Sequence, residues 1–391
     1  MHTLAPRYAL LLRTLAAVSV CAVLVAVDLG WRGAPPPAAL AVMGPSGSPA
    51  ESAPLPALER TEQGHIPMPV GAASAHASSL LPMPPDHPWS LMVFWFAGSR
   101  EAAPDVQIAM AHVDRNSKAW SAARYALGRQ DLGFGTTRLG NPVPWLDRQG
   151  RVHLFVVATG LGGWAAARIV HLRQRDAASL GEDHGFAVQQ VLPLSWLWNY
   201  SFLVRNTPLD LQDGGMVLPA YFEMGPHSAP VALRFDAEGN LRSFTRMGQE
   251  TQRMQPALLA LGDTRWLALM RDGSSQRHIR VSGSKDAGAH WTDADNLQLP
   301  NPDSALATLR LSDGTLLLAH NNTREGRHRL DLSASRDGLH WTPVGTVAQG
   351  DPGTEYSYPS LAWDGQQVWL SYTDQRRQIA WQRFAVIPAK H

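Results

Sequence analysis

The chain has 391 residues, and its 34 Lys plus Arg nearly cancel its 33 Asp plus Glu, leaving a formal charge of +1. That balance excludes a nucleic-acid binder working through a broad cationic surface. With 45% hydrophobic and only 17% charged residues the bulk of the chain is not disordered. The single cysteine, Cys21, lies near the N-terminus, so the folded part has no disulfide, thiolate metal site or cysteine nucleophile.

The first element is an address. Arg7 and Arg13 precede an apolar run from Leu15 to Val27. The run alone has the length of a signal-peptide core. Extended back to Ala9 it includes Arg13 and reads as an uncleaved anchor, with Arg13 snorkelling to the interface. Either reading predicts export to the periplasm or the extracellular space, in the second case with residues 9–27 held in the inner membrane. The one small-residue cleavage pattern, Ala39-Leu40-Ala41, is distant from the run. We therefore expect a leader over 1–30, a Pro/Ala/Ser-rich linker over 31–66 and one folded domain over 67–391, its first ordered residues near Val70.

From Val70 onward helical periodicity is nearly absent. A turn signal followed by an apolar strand recurs instead. The copies are Asp86-His87 before Leu91–Phe96, Asp147–Gly150 before Val152–Val157, Asp213-Gly214 before Met216–Tyr221, Gly262-Asp263 before Trp266–Met270, Asp313-Gly314 before Leu316–Ala319, and Asp364-Gly365 before Val368–Tyr372. The glycines from 214 to 262, 314 and 365 are spaced by 48, 52 and 51 residues. One repeated interval with several strands per unit predicts an all-β, six-bladed β-propeller. Between these turns lies a second repeat, Ser284-Lys-Asp286-Ala-Gly288-Ala-His-Trp291, which returns one residue shorter as Ser335-Arg-Asp337-Gly338-Leu-His-Trp341. Asp114 to Trp120 reads as a worn third copy. Here Asp accepts backbone N–H groups, Gly takes a positive φ and Trp plugs between blades, so the motif is structural.

Residues similar distances before and after a hairpin turn meet at one rim. That rim collects His76, Arg100, Glu101, Asp105, Asn141, Glu223, Arg253, Gln255, Arg271, Ser304, Asn321, Arg329, Glu355, Tyr356 and Tyr358. Several arginines converging with carboxylates and a tyrosine suit an acidic small molecule, because the guanidinium fork matches a carboxylate. No phosphate loop, dinucleotide pattern or His-Glu-x-x-His motif is present in the sequence.

The two Ser-x-Asp boxes and the six repeats resemble the sialidase superfamily. A closer likeness is to bacterial predicted neuraminidases with such repeats, through Phe96–Val106, Gly162-Gly-Trp164-Ala, Asn301–Ser304, His320–Asn322 and Glu355–Ser360. The resemblance covers about 71 to 386. It implies an exo-acting glycoside hydrolase on a terminal acidic sugar, sialic or uronic, with no cofactor and no metal. By this likeness Asp105, five residues after Arg100, would be the acid/base. Tyr358, in Tyr358-Pro-Ser-Leu361, would be the nucleophile. Arg271, ending a strand, and Arg329, in Arg329-Leu-Asp-Leu332, would hold the carboxylate. Arg100, Glu101, His76, Arg253 and Asn321 would complete the binding surface. His76 stands where the family has its first carboxylate-binding Arg, and Arg253 falls near the family's Glu base. Glu355 is therefore expected to take the base's role, with Glu223 and Glu250 as alternatives. A glycan-binding propeller of the envelope without catalysis, or a lyase on the same scaffold, are the competing readings.

Overall fold

A computed structural model describes residues 5–32, 40–41, 54–133, 135–176, 180–195 and 198–388. The chain forms six antiparallel sheets, and the innermost strands of neighbouring sheets touch in a closed ring, as expected. The inner strands are Ser74–Pro82, Arg138–Leu146, Phe202–Val204 continued by Leu209–Asp210, Arg253–Ala260, Ala307–Arg310 and Tyr356–Trp363. They define blades one to six. Each inner strand starts at one end of the ring, here called the mouth, and runs to the other, the base. The predicted Asp/Gly turns join first to second strands and lie at the base.

The ring starts earlier in the chain than the sequence indicates. Ala57–His65, inside the expected 31–66 linker, is the outer strand of blade six, pairing from Ala57↔Ile387 to His65↔Ala380. The strand is exposed along most of its length, so it needs no apolar alternation and leaves no signature in Ala-Leu-Glu-Arg-Thr-Glu-Gln-Gly-His. Blade six is thus built from both ends of the domain.

The core is six apolar layers, one between each pair of neighbouring blades. Large aromatic side chains suit these wide layers. Trp95, Trp369 and Trp381 fill the layer between blades six and one, and Trp266 fills that between three and four. The two Ser-x-Asp hairpins behave as their residues imply. Asp286 accepts the Ser284 hydroxyl at 2.9 Å and the His290 N–H at 2.9 Å, while Trp291 Nε1 donates to Gly288 O at 3.1 Å. Asp337, Ser335, His340 and Trp341 repeat the pattern. A Cβ on Gly288, whose φ is +80°, would come within 2.6 Å of Trp266. Ahead of the ring, Ala5–Arg32 is one helix.

Candidate functional site

One backbone device recurs at the same height in four inner strands. The pairing slips by one residue between His76 and Ser79, Leu139 and Pro142, Met254 and Ala257, and Ser357 and Ser360. Each slip is a β-bulge, which re-aims a side chain out of the strand's alternation. Three of the bulges hold a non-glycine residue at positive φ: Ala77 at 55°, Gln255 at 51° and Tyr358 at 53°. Such conformations cost about 1–2 kcal/mol each. In blade three the inner strand is interrupted outright, and Arg205 and Asn206 occupy the gap.

These side chains meet across the axis. Gln255 of blade four donates its amide to Tyr358 Oη of blade six and to Tyr221 Oη of blade three, both at 3.4 Å. Arg205 of blade three reaches Ser78 O of blade one at 3.2 Å and Pro359 O of blade six at 2.8 Å, and its guanidinium lies 5.1 Å from the Tyr358 ring centre. Arg327 lies 5.9 Å from the same ring. His76 packs on the Tyr358 ring at 4.3 Å and edge-on to Phe96 at 5.3 Å.

Around this centre sits a belt of ion pairs. Arg271 donates to Asp303 at 2.6 Å and to Gln255 Oε1 at 3.2 Å. Arg327 donates to Glu355 at 3.0 Å and to Asp303 O at 2.9 Å. Arg376 grips both Glu355 oxygens, at 2.7 and 3.2 Å, and also pairs with Glu101. Ser357 adds a third donor to Glu355 at 2.7 Å.

The electrostatics follow from burial among cations. Burial alone would raise the Tyr358 phenol. Arg271, Arg327, the Gln255 hydrogen bond and Arg205 outweigh it, so its pKa lies below the ordinary value of 10.0. Burial lowers Arg205 to about 10, which leaves it cationic at neutral pH. His76 is held well below 6.5 by burial and then by Arg376, Arg205 and Arg327, so its ring is neutral. Both its ring nitrogens are buried without a hydrogen-bond partner among the described residues. Glu223 is pushed upward by burial, with Asp303 adding to the shift and Arg271 opposing it. Asp105 moves the other way. It accepts the Ser99 hydroxyl and the Ser99 N–H, both at 2.8 Å, and these two bonds hold its carboxyl below the usual range.

The residues singled out from sequence divide accordingly. Tyr358, His76, Arg271, Glu355 and Glu101 come together. Asp105 and Arg100 lie on the same mouth loop as Glu101, at its exposed edge. Three others lie outside the cluster. Arg253 turns into blade four, bonding Val281 O at 2.9 Å, Ser282 and Asp293. Arg329 pairs with Asp331 and Thr346 on the outer part of blade five. Asn321 is a strut, donating to Arg329 O and Tyr356 O at 2.8 Å. Glu355 is the counter-ion of two arginines, and Glu250 is that of Arg253 and Arg280. Arg327, Arg376, Arg205, Asp303 and Tyr221 were not singled out as arginine, counter-ion or phenol of the site. Arg327 stands two residues from Arg329, in a turn whose backbone bridges to Glu355. Arg376 sits at φ 58° in the last mouth turn. Among the described residues no group of three or more His, Cys, Asp or Glu side chains is arranged to hold a metal ion.

Comparison with known proteins gives the same architecture. No curated protein matches the sequence. A Dyadobacter fermentans protein of unknown function superposes with a TM-score of 0.66 at 12% identity, over 85% of this chain and 100% of its own. Trypanosoma rangeli sialidase, in complex with the inhibitor DANA, gives 0.61 at 14% identity, over 87% of this chain and 60% of its own. The NanB sialidase of Streptococcus pneumoniae gives 0.61 at 11% identity, over 84% and 70%. The family model for the BNR repeat-like domain matches residues 90–370. The chain belongs to the BNR repeat-like family and has the six-bladed sialidase fold.

Proposed function

We propose that this protein is an exo-acting glycoside hydrolase that removes a terminal acidic sugar, sialic or uronic, with Tyr358 as the nucleophile. The observation that carries this reading is a half-buried phenol at the axis, its pKa lowered by Arg271, Arg327 and Arg205. A tyrosine in place of a carboxylate nucleophile is an established exception among glycosidases. A neutral phenol approaches an anionic sugar without charge repulsion, and nearby cations stabilise the phenolate as it forms. Arg271, Arg327 and Arg376, drawn from blades four, five and six, supply the forks for the sugar's carboxylate. Neutral His76 packs against Tyr358 where the family has another arginine.

In this reading the Tyr358 oxygen bonds to the anomeric carbon as the bond to the leaving oxygen breaks, the leaving oxygen takes a proton from Asp105, and water then displaces the sugar from Tyr358 while giving its proton to Asp105. Asp105 bonded to Ser99 is ionised, so it acts as an acid only after a ligand has displaced Ser99. Glu223 takes the phenol's proton in preference to Glu355. Burial raises its pKa, which makes it the stronger base of the two, and among the described residues its carboxylate makes no ion pair. Glu355 has both oxygens occupied by Arg327, Arg376 and Ser357.

The test is Tyr358→Phe on a substrate that the wild type cleaves. Turnover should vanish while affinity for the free acidic sugar stays within about threefold. Unchanged turnover rejects Tyr358 as nucleophile. A second reading, a glycan-binding propeller without catalysis, is favoured by one observation: each belt arginine already holds a carboxylate of the chain itself. An oligosaccharide bound tightly and recovered intact after long incubation would select it.

A further inference from the structure

The end of the ring opposite Tyr358 carries a separate message. The N-terminal helix contains an apolar stretch, Tyr8–Val27, of 20 residues and mean hydropathy 2.4, none of it buried in the protein. At 1.5 Å per residue it is about 30 Å long, the thickness of a bilayer's hydrocarbon core. The residues shortly after it are built into the base. Leu40 O accepts the Gln212 N–H at 2.8 Å, Ala41 O accepts the Gln212 side chain at 3.2 Å, and Ala41 N donates to Asp263 O at 3.4 Å. Ala41 is fully buried, packed with Leu211 and Trp266. Gln212 and Asp263 belong to the base turns of blades three and four.

Pro54 and the residues after it are also held at the base. Pro54 O accepts from Arg336 at 2.7 Å, and Arg336 also bonds Thr315 in the base turn of blade five. Strand Ala57–His65 starts at the base as well, since Ala57 pairs with Ile387 beyond Phe384, the partner of Val368.

We propose that the helix is retained across a lipid bilayer and that the ring rests base-down on that bilayer, its mouth opening away from it. Seven residues, 33–39, separate Arg32 from Leu40. Eight Cα steps reach at most about 28 Å, and helical residues 28–32, which lie beyond the apolar stretch, add about 8 Å, giving about 36 Å in all. The nine-residue inner strand Arg138–Leu146 alone spans about 30 Å from mouth to base. To set the mouth on the membrane, the chain from Val27 to Leu40 would have to climb that height and also pass the two outer strands of a blade, about 10 Å, together about 40 Å, which exceeds its reach. Cleavage after Ala41, at the small-residue pattern, would also discard the two residues that the base holds. The site is therefore presented to glycans in solution or on a facing surface rather than to headgroups of its own membrane. This inference is independent of any catalytic role for Tyr358.

The test uses the full chain, in a Cys21→Ala background, reconstituted into phosphatidylcholine vesicles whose headgroups carry an energy acceptor. A donor is attached at the base through Glu238→Cys or at the mouth through Leu161→Cys. Transfer from the base label should exceed that from the mouth label at least about twofold, given the ~30 Å between the two ends. Inserting about twenty Gly/Ser residues between Ala39 and Leu40, which leaves the docked residues intact, should abolish that bias. Equal transfer or a mouth-side excess in the parent, or a bias that survives the insertion, overturns the orientation. Mature protein recovered from the producing cell with its N-terminus at or beyond Val42 overturns the retained anchor.

Discussion

Asp147, His153 and His171 form a buried chain of proton donors and acceptors between blades two and three. Asp147 accepts Arg151 at 2.6 Å and His153 Nε2 at 3.1 Å, and His153 Nδ1 meets His171 Nε2 at 2.8 Å. His171 Nδ1 has no partner among the described residues, and the ring stacks on Phe155 at 4.6 Å. Those contacts assign one neutral arrangement: His153 donates to Asp147 and accepts from His171. A proton added to His171 would have nowhere to point. Burial, then His153 and Arg173, accordingly lower its pKa to about 3. An unfolded imidazole titrates near 6.5, so below that pH the unfolded chain holds the extra proton and the folded chain does not. Stability is full above pH 6.5 and falls as the pH drops toward 3. At pH 5 the loss from this one group is about 2 kcal/mol relative to pH 8. His171→Gln keeps a donor for His153 and removes the titration. Urea unfolding of both proteins at pH 8 and pH 5 should show the wild type losing about 2 kcal/mol more than the variant. Parallel losses, within about 0.5 kcal/mol, would refute the assignment of a neutral buried His171.

Three further outcomes separate the site from its surroundings. Arg327→Ala should weaken binding of an acidic monosaccharide by about 10- to 100-fold, the loss of a charged hydrogen bond, whereas Arg329→Ala should change it less than about twofold in the same titration calorimetry. Ser99→Ala deletes one of the two bonds to Asp105, the hydroxyl one, so the carboxyl should titrate at higher pH than in the wild type, as read by carboxyl NMR shifts. Trp266→Ala empties a fully buried position between blades three and four and should cost about 3–5 kcal/mol in chemical denaturation, with the ring still closed.

The repeat was legible because each base turn needs a side chain that bonds its own backbone or a glycine at positive φ, and these are few residue types. The strand 57–65 was hidden because an outermost strand satisfies its backbone on one side and is exposed along most of its length. Within the site, Tyr358 and Arg271 were legible through the family likeness, and His76 through its place before the first turn. Arg327 and Arg376 were not, because they lie in mouth turns, where neither periodicity nor turn chemistry dictates a residue type. The same likeness pointed to Arg329, and a two-residue difference there moves the guanidinium from the axis to the outside of blade five. The bulges are invisible in sequence: nothing in Gln255 or Tyr358 announces a positive φ, yet that conformation is what brings them together.

The ring has a single seam. Residue 57 pairs with residue 387, and Trp120, Trp369 and Trp381 interlock where the last blade abuts the first. Trimming either terminus therefore damages the same place. A protein shortened past 57 and one shortened before 380 should share one phenotype, a sixth blade short of its outer strands and loosened against the first. The newly made chain meets that condition too, its sixth blade incomplete until the final strand has been synthesised.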